Sequence, residues 1–271
     1  MKSTLLASAI LFTLPLVALA DDPPPPPQGF SGSGEAGLAI ASGNTKSENV
    51  NVKLDLKFND DRWKDDFYLL ALRNKANVTS TSDDVSSTRF ETTADRWEGG
   101  ASTGYKLDER SYIVGALRYE HDEFAPYDYQ YIASIGYGYQ VVKNASNELS
   151  FEVGAGYKVV QPTSYYVDYI GTPVDSTVTQ IKIRPDSQSD PAGRGKMDYK
   201  HSFNAMTSLV DSFLVETASG NTFIQNDLGL AVKMSSKLAL KVTYELRHNS
   251  EVRDGFKKTD QLLTTNFVYG F

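Results

Sequence analysis

Three histidines, His121, His201 and His248, sit in a 271-residue chain that has no cysteine. His248-Asn249-Ser250 places an imidazole and a hydroxyl two residues apart, on one face if the backbone is extended. A base beside a serine is the beginning of nucleophilic catalysis, which also needs a group to orient the ring and donors for the oxyanion. Glu245 is a candidate orienter, although nothing in the spacing positions it. Polar residues at the water-facing rim of a strand are the commoner reading of such a pair, so His248 and Ser250 are weak catalytic candidates and no enzyme is expected. The histidines are too scattered for a metal-ligand spacing, and no nucleotide-binding motif occurs. No cofactor is expected.

A larger set of ionisable residues recurs at alternate positions: Lys53, Asp55 and Lys57; Glu98; Arg118 and Glu120; Glu152 and Lys158; Lys241, Glu245 and Arg247. Glu35, Asp198, Lys200 and Asp227 fit the same pattern. Between them stand apolar residues. Val50, Val52, Leu54, Leu56 and Phe58 interleave with the first group, and Leu238, Leu240, Val242, Tyr244 and Leu246 with the last. Period-two alternation means strands with one apolar and one polar face. If the polar faces point inward, their opposite charges either pair across an enclosed bore or line a narrow water path. A mixed, mostly blocked lumen is expected. Gly136, Gly138, Gly154 and Gly156 share the polar face, where they would admit bulky neighbours or let the sheet curve.

The elements that must hold these residues are twelve strands, near 33–42, 48–58, 64–74, 90–106, 111–121, 128–141, 148–161, 197–208, 212–218, 222–233, 237–248 and 259–271. Connections after even-numbered strands are short; those after odd-numbered strands include the long ones, above all 162–196. The segment 128–141 carries tyrosines at both ends of its apolar face. Tyr129 and Tyr139 are ~33 Å apart along a strand, or ~24 Å in height at a 45° tilt, close to the ~25 Å apolar band of outer-membrane barrels. Hydrocarbon cannot satisfy a free strand edge, so such a sheet must close. The expectation is an all-β, closed antiparallel transmembrane barrel of about 12 strands, with short periplasmic turns and longer extracellular loops. Phe267, Tyr269 and the final Phe271 share one face.

The amino terminus carries an address. Lys2, an apolar run from Leu5 to Leu19 and Ala18-Leu19-Ala20 read as a cleaved secretory signal over 1–20. Residues 21–32, with Pro23 to Pro27, form a stiff proline-rich lead-in, and the barrel occupies 33–271. Cleavage removes Lys2, leaving 26 basic against 34 acidic residues, a charge of −8. That balance argues against nucleic acid as a partner. Absence of a cysteine after the cut argues against a lipid anchor.

Gly34-Glu35 leading into Ser42-Gly43-Asn44-Thr45, then Arg118-Tyr119-Glu120 with Phe124, Gly136-Tyr137-Gly138-Tyr139 and Gly154-Ala155-Gly156-Tyr157, resemble the YdiY-like, salt-induced outer-membrane protein family. Lys258-Thr259-Asp260 through Phe271 is similar too. The family is a domain of unknown function; it implies a bacterial outer-membrane barrel, with a link to salt or acid but no known activity. The ending also resembles the carboxy-terminal signal read by the outer-membrane assembly machinery, making that machinery, outer-membrane lipids and lipopolysaccharide the expected partners. His248-Asn249-Ser250 faintly resembles the His-x-Ser pair of outer-membrane lipid A deacylases. Loop 162–196 is longer than the family leads one to expect. Its Tyr165, Tyr166, Tyr169, Pro173 and Asp186 suit a lid that plugs the bore, or a recognition surface; Asp186 and Asp190 lack the spacing of a calcium loop. Three functions follow: a structural or narrow, largely plugged channel for ions or small solutes, related to envelope (salt) stress; a surface receptor or adhesin acting through 162–196; and a lipid A hydrolase using His248 and Ser250.

Overall fold

The computed structural model describes residues 28–41, 46–82, 85–125, 127–170, 178–252 and 257–271. The expected signal peptide, most of the expected proline-rich lead-in and Ser42 to Thr45 lie outside the described residues. Strands β1 (Gly29–Ala41), β2 (Ser47–Asn59), β3 (Trp63–Ser82), β4 (Val85–Lys106), β5 (Ser111–Asp122), β6 (Tyr127–Lys143) and β7 (Asn147–Pro162) are followed by a separate pair, β8 (Tyr165–Ile170) and β9 (Val178–Ile183). The wall then resumes with β10 (Gln188–Ser202), β11 (Thr207–Ala218), β12 (Asn221–Lys233), β13 (Leu238–Asn249) and β14 (Thr259–Gly270). Twelve of these close into one antiparallel barrel in the order β1-β14-β13-β12-β11-β10-β7-β6-β5-β4-β3-β2. Neighbours in sequence are neighbours in space except where the β8–β9 hairpin intervenes.

Apolar side chains face outward around the whole circuit: Val52, Leu69, Ile113, Ile135, Val153, Leu230, Val242 and Leu263 are all exposed. A water-soluble barrel would carry these inside. Aromatic pairs mark both edges of the belt. Phe30–Phe58 and Trp63–Tyr105 sit at the short-turn rim, with centroids 4.8 and 5.3 Å apart. Trp97–Tyr119 and Tyr119–Tyr129, at 4.8 and 5.8 Å, lie toward the opposite rim.

Four features differ from the sequence reading. β1 starts at Gly29, so 29–32 belongs to the wall and not to the lead-in. Residues 75–89 are not a bare loop; β3 and β4 run on to Ser82 and from Val85 as one long hairpin, beyond a register shift at Asn74/Lys75. The long loop shrinks, because β10 begins at Gln188 and pairs with Val160 of β7. Pro191 fits there since β11 pairs only from Ala192 onward, so the missing N–H faces no ladder. The turn expected at 209–211 is at 203–206, and 209–211 lies inside β11.

The short turns share one device. A polar side chain opening each turn accepts backbone N–H bonds from the residues two and three ahead, an Asx- or ST-turn. Asp60 serves Arg62 and Trp63; Asp108 serves Arg110 and Ser111; Asn144 serves Ser146 and Asn147. Asn204 serves Met206 and Thr207, and Ser235 serves Lys237 and Leu238. Donors from the Ser111 side chain and from the Arg110 and Ser111 backbone hold the Asp108 carboxyl below its usual range. A carboxylate lowered on folding contributes stability above its unfolded pKa of about 3.9, lost as pH falls through the lower folded value. Asp108→Asn is therefore expected to flatten the acid-side loss of amide protection, relative to the intrinsic exchange rate, at Arg110 and Ser111, a loss the unaltered protein should show below about pH 4; equal acid sensitivity in both would refute the turn's ionic character.

Candidate functional site

Inside the barrel the polar faces meet. The part of the bore that opens at the short-turn rim encloses a cavity of about 1970 Å³. Lys53, Asp55, Lys57, Glu98, Arg118, Lys241 and Glu245 line it, with Glu35, Asp198, Lys200 and Asp227. Most of these pair locally. Lys53–Asp55, Lys57–Asp66 and Lys196–Asp198 are at 3.1, 3.6 and 2.6 Å. Glu152 sits to one side, accepting from Arg194 at 3.0 Å and from the Tyr112 hydroxyl at 3.0 Å.

Toward the other rim the bore is filled. Arg118 on β5 donates Nε to Glu216 Oε1 at 3.0 Å, makes a second, parallel bond to Glu216 Oε2, and donates Nη1 to Glu120 Oε2 at 2.6 Å. Arg247 on β13 reaches Glu120 Oε1 at 2.6 Å from the diametrically opposite strand. Tyr127 and Gln130 donate to the same carboxylate at 2.7 and 3.2 Å. Phe223 lies between the two guanidinium groups, its ring centroid 4.9 Å from Arg118 and 5.0 Å from Arg247, a double cation–π contact. Arg96 makes a second chord, to both oxygens of Glu245 at 2.8 and 3.1 Å. Lys158 is buried in the same layer, within electrostatic reach of Glu216 and Glu120. Glu120 and Glu216 have 0% exposure and Phe223 1%, so the centre of this layer is covered on both sides, while Arg118 also borders the cavity beneath it.

Such a layer holds because each charge has several partners. A buried ion is tolerated only when its Coulomb and hydrogen-bond partners offset desolvation, and Glu120 has four donors. The arrangement also explains two glycines. The Tyr112 ring occupies the space a Cβ on Gly138 would need, 2.2 Å away, and the Tyr68 ring does the same at Gly100. Gly136, Gly154 and Gly156 are different: there a Cβ would strike the neighbouring strand's backbone, within 1.9 Å of the Ala133 carbonyl in the case of Gly156. These glycines let β6 and β7 approach closely; they do not widen a pore.

Of this layer, Arg118, Glu120 and Arg247 are among the charges that the alternation singles out in the sequence; Glu216, Arg96, Phe223 and Tyr127 are not. Glu216 and Arg96 do stand at alternate positions, where a count by parity would have found them. Tyr127 has the parity of the outward face; the register shift at Tyr127/Tyr129 turns it inward.

The expected lid is elsewhere than expected. β8 and β9 pair only with each other, and Tyr165, Tyr166, Val167 and Ile181 are exposed. The wall's own side chains block the bore. His248 and Ser250 are not assembled as a pair: His248 Nδ1 is 2.8 Å from Thr259 Oγ1, while Ser250 Oγ accepts from the Thr222 N–H at 2.8 Å and donates to Asn221 at 3.3 Å. Glu245, the candidate orienter, is held by Arg96. His121 lies against Trp97, and His201 Nδ1 meets Asn147 at 2.8 Å. No metal-binding cluster occurs among the described residues. Phe267, Tyr269 and Phe271 face outward, with Tyr269 and Phe271 stacked at 6.5 Å.

Residues 34–271 match the family described as "Protein of unknown function, DUF481". The chain is 23% identical over 250 residues to the uncharacterized protein YdiY of Escherichia coli K12, covering 92% of this chain and 86% of that one. Two solved structures are similar in course. An outer membrane channel from Pseudomonas putida F1 gives a TM-score of 0.46 at 12% identity, over 94% of this chain and 100% of that one. The translocator domain of the autotransporter NalP from Neisseria meningitidis gives 0.47 at 12% identity, over 89% and 86%.

Proposed function

From the premise that the chain belongs to the DUF481 family of proteins of unknown function, we propose that it is an integral outer-membrane barrel whose lumen is a closed, narrow conduit for ions or small solutes. Its short turns and both termini face the periplasm, and the long β3–β4 and β8–β9 hairpins face outward. The observation that carries this reading is the division of the bore: a polar cavity open at the periplasmic rim, stopped near the outer rim by the Arg118–Glu120–Glu216–Arg247 layer around Phe223. The exposed apolar belt and its aromatic edges support membrane insertion, since hydrocarbon is the solvent they fit. A link to salt would act through the solvated pairs lining the cavity, which ionic strength screens far more than the buried layer.

Planar-bilayer recording tests the conduit. The refolded protein should conduct weakly. Removing the balanced set Arg247→Ala, Glu120→Ala and Phe223→Ala, which leaves Arg118 paired to Glu216, should raise single-channel conductance several-fold. Deleting residues 165–183 should leave it unchanged. A silent triple variant would overturn the conduit; a rise on deleting the hairpin would move the plug to it. Surface recognition is the second reading, favoured by the exposed Tyr165, Tyr166 and Ile181 on that hairpin.

A further inference from the structure

The wall is not uniformly closed. Eleven of its seams are paired along ten or more residues each. Between β1 and β14 the ladder covers only Ser33↔Gly270 to Ala36↔Phe267, extended by the reciprocal Gly32–Phe271 bonds at 2.9 and 3.0 Å. Continuing that register sets residues 37–41 against 262–266. Both stretches are strand, each paired on its far side, yet they are not paired with one another. Five residues correspond to about 16 Å of open edge. In hydrocarbon an unsatisfied strand edge costs several kcal/mol per group, so something must occupy it.

What surrounds the gap indicates the occupant. Outside it stand Leu38 and Leu263, 68% and 66% exposed and among the barest apolar side chains of the wall. Inside it stand Glu35, Asn51, Thr264 and Asn266, all lining the cavity. A polar latch flanks the last paired rung, Ala36↔Phe267. Asn266 Nδ2 donates to Glu35 Oε2 at 3.3 Å, and Lys241 Nζ to Glu35 Oε1 at 2.8 Å, which ties β14, β1 and β13 together. Gly37 makes room for it: a Cβ there would lie 2.2 Å from Asn266 Oδ1 and 2.9 Å from the Asn51 amide. Asn51 Oδ1 and Asn266 Oδ1 are buried and accept no hydrogen bond. Two idle acceptors therefore sit at the inner mouth, where a gap in the wall joins a polar cavity to an apolar belt.

We propose that the β1–β14 seam above the Glu35–Asn266 latch is a lateral portal that binds a single-chain amphiphile. Its alkyl chain lies between Leu38 and Leu263 in the bilayer, and a hydrogen-bond-donating head, amine or hydroxyl, reaches Asn51 and Asn266 from the seam. The cavity is stopped toward the outer rim, so the seam gives its contents a second way out. This rests on the membrane placement proposed above but not on the conduit, which bilayer recording tests separately.

The protein in lipid nanodiscs would be photolabelled with a diazirine derivative of dodecylamine, and with the matching dodecanoic acid derivative, whose ionised head lacks a donor. The amine is expected to label residues 36–41 and 261–267 several-fold above the rest of the belt, and the acid less. Because the chain has no cysteine, the Leu38→Cys/Thr265→Cys pair can be oxidised cleanly; the crosslink should abolish the excess and reductant should restore it. Leu230→Cys/Val242→Cys, on a fully paired seam, should change nothing. Uniform labelling around the belt, or excess that survives the crosslink, would overturn the portal. If the crosslink does not form, amide exchange decides: seam-facing amides of 37–41 as protected as those of 33–36 would also overturn it.

Discussion

Arg118→Ala is expected to destabilise the folded barrel by about 3–5 kcal/mol, the cost of breaking a buried ion pair from one side. The side chain is held at both ends of its fork, by Glu216 and by Glu120, with Phe223 against its face. Removing it leaves the Glu216 carboxylate at 0% exposure without its bidentate partner. Urea titration in detergent micelles measures the loss. Two companions give the number meaning. Lys200→Ala breaks a solvated pair, Lys200–Glu148 at 3.0 Å with both side chains about half exposed, and should cost under about 1 kcal/mol. Arg118→Met combined with Glu216→Met removes both charges and should recover most of the loss, since an apolar pair of similar volume escapes the desolvation cost. If Arg118→Ala and Lys200→Ala behave alike, water reaches the layer and the bore is not sealed by it.

That layer shows where sequence stops being informative. Alternation is local: Lys53, Asp55 and Lys57 fall on one face because a strand has period two, and no tertiary fact is needed. The barrel follows from the same property repeated twelve times with turn chemistry between. Contacts across the bore are different. Arg118 and Glu216 are 98 residues apart and Arg247 and Glu120 are 127 apart. Which charges meet depends on closure and strand stagger, neither of which is written in any one segment. Register shifts defeat parity as well, as Tyr127 shows. Pro191 and Gly193 read as loop because both disfavour strands, but Pro191 sits beyond the end of β11, where a missing donor costs nothing. Asn204 has the residue type of a turn opener, and recognising the device shared with Asp60, Asp108 and Asn144 would have placed the turn at 203–206 instead of 209–211. His248 and Ser250 were legible as neighbours on one strand; that they turn to Thr259 and to Thr222 and Asn221 depends on β12 and β14.

Deleting Phe271 is expected to prevent stable closure of the barrel. Beside the assembly role expected from its resemblance, the geometry of Phe271 points to a mechanical one. The β1–β14 seam is the shortest in the wall, and the Gly32–Phe271 pair contributes two of its backbone bonds. The Phe271 ring covers Gly32 so closely that a Cβ there would come within 2.6 Å of it. In water each bond is worth only about 0.5–1.5 kcal/mol net, but in hydrocarbon a lost partner costs several kcal/mol per group. Refolding purified protein into micelles separates the two roles, since no assembly machinery is present. The truncated chain should lose the compact, heat-modifiable band on cold gel electrophoresis, whereas Phe271→Ala, which keeps the backbone, should retain it with a lower melting temperature. Were the truncated chain to refold as completely as the full one, Phe271 would serve assembly alone, and residues 33–36 would suffice to close the wall.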